Sequence, residues 1–305
     1  MMHAEETKIL NPAQTTTLRY TVITPVRNEA EYIKKTIQSM IQQTVTATEW
    51  VVVNDGSTDS TAEIVARAAA EHPWIKLVNR ADRGARQRGK GVIETFYTGF
   101  ATLTEAYDVI VKLDGDLSFE QTYFESLLRQ FEANPKLGIA GGGVYERLDG
   151  QNWVLRASSD HVRGPTKLYR RTCFEGIGGL MPALGWDGAD EWKAMTLGWE
   201  VQSFLQLKVY HYRVTGAATG SIKSRVELGY GAHFMGYHPL FMIARGIRHM
   251  RSRPYGIGGL IMIGAFFMAG LRGYERIPDK AVVRYVRQTQ LRQLAGLLAG
   301  KPVHE

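Results

Sequence analysis

The sequence predicts an α/β protein built on a mixed, mostly parallel sheet with helices packed on it, and three observations carry that prediction. Residues 18–26 (LRYTVITPV), 50–54 (WVVVN) and 108–113 (DVIVKL) are short apolar runs rich in β-branched residues, of strand length. Between the first two lies EAEYIKKTIQSMIQQ (29–43), whose apolar residues recur at helical spacing, so the opening reads β-α-β with parallel strands. Each apolar run stops abruptly in polar residues that suit a binding edge.

Taken in order, the first strand runs out into Pro25, Arg27, Asn28 and Glu29. The second ends in NDGSTDS (54–60), where Asp59 and Ser60 can cap a helix over 60–71 but Asp55 is left for another purpose. A short strand over 75–79 and a helix over 91–103 follow. The loop between them packs Arg83, Arg86, Arg88 and Lys90 close together, which suits a diphosphate or an acidic acceptor and equally a solvated basic loop. The third run ends in Asp114-Gly115-Asp116. Two carboxylates at a strand end can hold a hard cation, Mg²⁺ or Mn²⁺, if the glycine bends the chain so that both face one ion; a surface turn gives the same tripeptide. An amphipathic helix over 121–134 stops near Pro135. The strand over 137–145 contains Gly141-Gly142-Gly143, which implies a close approach by a ligand or another backbone, or a bulge. In an open parallel sheet, ligands bind beyond the carboxyl ends of the strands, where Asp55 and Asp114 would meet. The residues alone thus point to an α/β site for a metal-bound phosphate compound.

Four stretches in order, TPVRNEAEYI (24–33), VVVNDGSTDST (51–61), KLDGDLSF (112–119) and GWDGADEWKA (185–194), resemble the family 2 glycosyltransferases of GT-A fold over roughly residues 18–215. The resemblance implies that Pro25, Arg27, Glu29 and Asp55 hold the nucleoside of a sugar nucleotide. It implies further that Asp114 and Asp116 form a DxD-type motif for Mg²⁺ or Mn²⁺ and the diphosphate. Arg86, Lys90, Arg163 and Lys167 are expected to face the diphosphate or an anionic acceptor, with Arg170 and Arg171 outside. His211 matches a histidine that contacts metal or phosphates, although a histidine at a strand end is often merely hydrogen-bonded. The base that takes the acceptor proton is sought among Asp187, Asp190 and Glu191. Relatives carry Glu-Asp here, with a Gly-aromatic pair ending twelve residues after the Asp. Gly198-Trp199 gives that spacing from Asp187, with Trp186 replacing the glutamate. A helix from about 188 to 197 leaves Asp187 also readable as a cap, and Asp190 and Glu191 as an acidic first turn. The implied reaction is an inverting transfer without a covalent intermediate.

The chain has 305 residues, 44% of them hydrophobic, enough for one large core and an appendage. The expected organisation is a polar tail over 1–17, a catalytic domain over 18–225 and a helical, membrane-associated extension over 226–305. The single Cys173 excludes an internal disulfide framework and fits a reducing compartment. The polar N-terminal residues lack the pattern of a signal peptide, so the catalytic part is expected on the cytoplasmic side. Residues 255–271 carry no charge and are flanked by Arg245, Arg248, His249, Arg251 and Arg253 on one side and Arg272 on the other. A bilayer crossing takes about 20 residues, so an interfacial or re-entrant helix pair is favoured over a buried helix or a span. The net charge of +7 suits an anionic membrane surface. A membrane-docked site in turn implies a lipid-linked saccharide or polyprenyl phosphate as acceptor. Processive relatives carry Gln-x-x-Arg-Trp; here 288–293 read QTQLRQ, so transfer of a single sugar is expected, from a UDP-sugar on the usage of relatives. A nucleotidyltransferase would need a glycine-rich loop after the first strand, and TPVRNEA has none. A non-catalytic sugar-nucleotide-binding protein would have no need of acids at 116 and 187, and no nucleic-acid-binding module is recognisable. A homo-oligomer stays open.

Overall fold

Strand β1 (Tyr20–Val26) occupies the middle of the sheet in the computed structural model, paired in parallel with β2 (Glu49–Asp55) on one side and β4 (Val109–Leu113) on the other. The structure describes residues 16–299 except 83, 85–88, 148–151, 157–160, 184, 214–220 and 252–253. After β1 the chain passes through α1 (Ile33–Ile41) to β2, and through α2 (Thr61–Glu71) to the parallel edge strand β3 (Ile75–Arg80). It then returns through α3 (Lys90–Phe100) to β4. The strand order therefore reverses at β1, and the crevice beyond the ends of β1, β2 and β4 is the switch point of the sheet.

Beyond β4 the sheet becomes mixed. β5 (Leu117–Phe119), α4 (Tyr123–Ala133), β6 (Leu137–Arg147), β7 (Trp153–Leu155), β8 (Thr166–Arg170), α5 (Arg171–Gly176), α6 (Trp186–Thr196) and β9 (Glu200–His211) follow. The order is β3-β2-β1-β4-β8-β6-β9-β5, with β7 on β6; β8 is antiparallel to β4 and β6, and β5 is antiparallel to β9. The strands β5 and β7 escaped the sequence reading because three residues give too little alternation to register.

The uninterrupted β-branched runs have a simple cause: the central strands are covered on both faces. Val22, Val52 and Val111 point into one core with residues of α1, α2 and α4, while Ile23, Val51 and Ile110 point into a second with residues of α3, α5 and α6. Trp50 is fully buried, and its indole N–H is satisfied by Thr24 Oγ1 at 2.9 Å. The glycine run serves both expected purposes. A Cβ on Gly142 would meet Leu207 O at 2.3 Å and the Tyr123 ring at 2.7 Å, and the β6–β9 register shifts between Gly142 and Gly143.

The C-terminal part is helical: α7 (Ser221–Phe234), α8 (Pro239–His249), α9 (Ile257–Leu271) and α10 (Lys280–Leu298). α7 runs through residue 226, so the helical unit begins before the expected boundary. Asp279 caps α10 by accepting from the N–H groups of Ala281 and Val282. α10 joins the unit to α6 through a small core of Ala189, Met235, Ile277, Val282 and Val286, with Trp192 edge-on to Tyr285. Among the described residues no helix is long and apolar enough to cross a membrane.

Two alanine substitutions should separate close approach from mere composition. Gly142→Ala has no room and is expected to cost about 1–3 kcal/mol of stability. Gly296→Ala, inside α10 with open space around it, is expected to stabilise by about 0.5–1 kcal/mol. Urea unfolding monitored by circular dichroism checks both.

Candidate functional site

Asp116 is the buried centre of the site. Gly115 is needed for space rather than for a bend: it does not take a positive φ, and a Cβ there would meet Val26 Cγ1 at 2.6 Å, so the end of β4 can close on the end of β1 only through glycine. The partly exposed Asp114 is held from below. The buried Lys112 ammonium donates to its carboxylate and, at 2.8 Å, to Gly164 O, while the Asp114 N–H donates to Pro165 O. The β5–β9 register sets Leu117 opposite His211, which brings His211 Nε2 to 3.3 Å from Asp116 Oδ2. One ligand atom each of Asp114, Asp116 and His211 lies within 4.8 Å of the others. Two carboxylates and an imidazole are a donor set that fits Mn²⁺ or Mg²⁺. Glu146 fixes the imidazole from behind, 3.1 Å from Nδ1, and also accepts from Arg163 at 2.9 Å. Burial pushes the His211 pKa down, but the hydrogen bonds to Asp116 and Glu146 outweigh it and hold the group at about 9.

The ends of β1 and β2 form the other wall, with Pro25 still in β1 register opposite Val53. Arg27 donates to Asp55 O and, at 2.7 Å, to the exposed carboxylate of Asp82. Gly56, at φ +67°, lets the Asp82 backbone come close: a Cβ there would lie 2.5 Å from Asp82 Cα. The buried Asp55 carboxylate meets Arg80 at 3.2 Å. Glu29, also buried, accepts from Arg213 at 2.8 Å, and Arg213 reaches towards Asp116 at 3.9 Å. The Ser60 side chain makes no cap bond; Asp59 instead accepts from the N–H groups of Thr61 and Ala30. Burial would raise the Asp59 pKa, but these hydrogen bonds hold it below the usual carboxylate range. Lys90 opens α3, exposed and 3.7 Å from Glu94, and Arg86 lies outside the described residues.

The three candidate bases occupy very different surroundings. α6 begins two residues earlier than expected, at Trp186: Gly185 precedes it at φ +81°, and Asp187 lies in the first turn, not at the cap. Asp187 is partly exposed and its Oδ2 points at Gly164, 3.2 Å from where a Cβ would stand. Asp190 and Glu191 are interior. Asp190 accepts from the Lys167 ammonium at 2.9 Å and from the Tyr169 hydroxyl. Glu191 accepts from Lys167 at 2.8 Å and from the Val162 N–H at 2.9 Å, and lies 2.8 Å from His161 Nδ1. Burial raises the Asp190 pKa against the pull of Lys167, to about 6. Lys167 itself has no exposed surface and also donates to Asp187 O at 2.6 Å, so in place of the expected donor contact it holds up the turn that carries Asp187. Trp186, which stands where the resemblance leads one to expect a glutamate, has its ring near both ammonium groups, at 5.3 Å from Lys112 and 5.7 Å from Lys167. Arg170 binds the carbonyls of Phe131, Asn134 and Leu137, away from the site, and Arg171 pairs with Glu175 on the surface.

Lys112, Glu146 and Arg213 were not singled out from the sequence. A lysine inside a β-branched strand and a glutamate ending a glycine-rich one were signals in principle, since charges at such places need buried partners. Nothing local marks Arg213. The row Tyr32, Tyr212, Trp153 and Tyr210, with successive ring centroids 5.7, 5.4 and 4.9 Å apart, is assembled from three distant segments and has no sequence signature.

Lys167→Met would leave two buried carboxylates without their cation, and a loss of about 3–5 kcal/mol of stability is expected in chemical denaturation. The His161–Glu191 pair adds a pH dependence. Burial lowers the His161 pKa but Glu191 outweighs it, so the folded value is raised. The contribution is full below the unfolded value of about 6.5 and is lost as pH rises through the folded one. The melting temperature of wild type should exceed that of His161→Gln at low pH, with the gap closing as pH rises; a gap that widens would refute the pairing.

Residues 21–185 match the family model "Glycosyl transferase family 2". The chain is 32% identical over 152 residues to the glycosyltransferase YibD of Escherichia coli, covering 45% of this chain and 43% of that protein. It is 26% identical over 227 residues to the poly-beta-1,6-N-acetyl-D-glucosamine synthase of Staphylococcus aureus, covering 68% of this chain and 52% of that protein. The matches thus span about half the length of these relatives or less. Its fold is similar to that of the mannosyltransferase PcManGT from Pyrobaculum calidifontis, solved in complex with GDP-Man and Mn²⁺, with a TM-score of 0.52, 18% identity and coverage of 93% of this chain and 76% of that one. A strand-end carboxylate crevice on a mixed α/β sheet, matched by the family over more than half the chain, places this protein among the family 2 glycosyltransferases.

Proposed function

We propose that the protein is a metal-dependent inverting glycosyltransferase that moves one sugar from a nucleotide sugar, a UDP-sugar, to a lipid-linked saccharide at the cytoplasmic face of the membrane, in surface polysaccharide or glycan assembly. The observation that carries this reading is the convergence of Asp114, Asp116 and His211 at the carboxyl edge of the sheet, with Asp187 the one acid of α6's first two turns that is not enclosed. A divalent cation held by Asp114, Asp116 and His211 would supply charge neutralisation for the diphosphate leaving group. Lys112 keeps the Asp114 carboxylate in place, and Glu146 keeps the His211 ring in place. Asp187 takes the proton of the acceptor hydroxyl, while the Lys167 bond to its backbone carbonyl fixes the turn that presents it. Arg27 and Asp55 line the nucleoside end. The nucleotide sugar and Mn²⁺ bound by PcManGT support the donor and metal class, and the polysaccharide synthase among the relatives supports a saccharide acceptor.

Turnover of a panel of UDP-, GDP- and dTDP-sugars with Mn²⁺ or Mg²⁺ and membrane lipid extract is the direct assay. One donor should be consumed, with activity abolished by chelation. Asp116→Asn and Asp187→Asn should each lower kcat by about 10²–10⁴. Undiminished transfer by Asp187→Asn would remove that residue as the base.

A further inference from the structure

We infer that α8 and α9 form a helical hairpin that lies in the surface of an anionic lipid membrane, apolar stripe inwards and arginines at the headgroups. The hairpin is antiparallel: Gly246 packs on Gly259 and Ile263, and Met242 clusters with Met262 and Phe266. The seam is made by glycines. A Cβ on Gly259 would stand 2.0 Å from Gly246 O, and one on Gly229 of α7 would stand 2.4 Å from Met262 O. Glycines at the closest contacts leave many of the large residues outside. On α9 the exposed large apolar residues are Ile257, Leu260, Phe267, Met268 and Leu271, which at 3.6 residues per turn make one uncharged stripe opposite the packed face. On α8 the exposed large apolar residues are Leu240, Ile243 and Ile247, again a single stripe. With the helices antiparallel and Gly246 facing Gly259, the helical period puts both stripes on the same side of the seam, so they form one continuous apolar face. Leu271 is 83% exposed and Leu240 and Ile257 are each 60% exposed, far more than side chains of this size keep in a core.

Charge selects the occupant. Residues 239–274 contain Arg245, Arg248, Arg251, Arg253 and Arg272 and no Asp or Glu. Arg248 and Arg251 are exposed at the turn end of the hairpin and Arg272 is exposed at the other end of α9. Apolar side chains on one face with arginines around them match an anionic bilayer surface, where each basic residue adds about 1 kcal/mol and the stripe enters the acyl boundary. A second copy of the chain packed face to face would bring arginine against arginine around a two-fold axis. Among the described residues no helix is long and apolar enough to span, so the hairpin is assigned to the interface and not to the interior.

This inference deepens the lipid-linked acceptor reading and is tested apart from it, without donor or metal. The full chain is sedimented with vesicles of neutral phosphatidylcholine and of phosphatidylcholine with phosphatidylglycerol. Wild type should pellet with the anionic vesicles, and more weakly as salt rises. Leu260→Glu with Phe267→Glu should weaken that binding at least about tenfold. Arg248→Gln with Arg251→Gln should weaken it about fivefold per arginine. All four positions are exposed, so the melting temperature should stay put and confirm folding. Equal pelleting with neutral vesicles, or binding unmoved by the Glu pair, overturns the inference. So does a wild type that ignores vesicles but forms a dimer in light scattering that the Glu pair dissociates. Vesicle binding without transfer in the donor assay would keep the docking face and sink the acceptor reading.

Discussion

The buried ammonium of Lys167, between Asp190 and Glu191, is the constraint on which the catalytic edge depends. Taking three charges out of water costs several kcal/mol per ion unless each is fully paired. Here the pairing is complete enough to be stable only in one arrangement: Tyr169 and Lys167 come from β8, the acids come from α6, and His161 and the Val162 N–H close the far side. Moving α6 by a fraction of a turn would strand at least one charge. The cluster therefore fixes the rotation of α6 about its own axis. Asp187, three and four residues before Asp190 and Glu191, shares their helix face and stays partly exposed because it lies one turn nearer the start of α6.

The same logic links the cluster to the side of the crevice that carries Asp114, Asp116 and His211. The Trp186 ring is near both buried ammonium groups, and Lys112 touches both Asp114 and the carbonyl of Gly164, the residue that Asp187 faces. A position where the resemblance leads one to expect a carboxylate carries the indole of Trp186, and an indole face is a partner for cations that adds no further negative charge. Beside Asp187, Asp190 and Glu191, another carboxylate would add repulsion that the lysines alone would have to offset. Glu146 shows the complementary device. Its charge is shared between Arg163 and His211, so it orients the imidazole without competing for a cation.

Much of the sheet was legible because its central strands are buried on both sides, and such strands must be continuous β-branched runs. Val22–Ile23, Val51–Val52 and Ile110–Val111 each send neighbours into opposite cores. The carboxylates at the strand ends were legible for a related reason: polar residues that stop an apolar run abruptly have to be solvated or used. What was not legible was orientation. The acids of α6 look alike in sequence, yet one is open and two are enclosed, and only the three-dimensional position of Lys167, twenty residues before Asp187, distinguishes them. Gly115 is a similar case. A bend and a close approach both call for glycine, and the distance to Val26 decides between them.

The C-terminal unit reverses the usual arrangement of a helical hairpin in water. There, leucines and phenylalanines fill the seam and small or polar residues cover the outside, because each exposed apolar side chain forgoes about 1.5–3 kcal/mol of burial. Here glycines bring α8 and α9 together at Gly246 and Gly259, only a few large residues, Met242, Met262, Phe266 and Ile263, fill the packed side, and the other large residues are left on the outer face. Close packing through glycine gains dispersion contacts but removes less apolar surface from water than large side chains would. A sequence that places Gly246 and Gly259 inside and Leu260 and Leu271 outside is thus stable as a shape while leaving its hydrophobic surface uncovered. That surface is joined through α10 to α6, the helix that also carries Asp187. A partner that covers the stripe would therefore bear, through one small core, on the helix that brings Asp187 to the edge of the crevice.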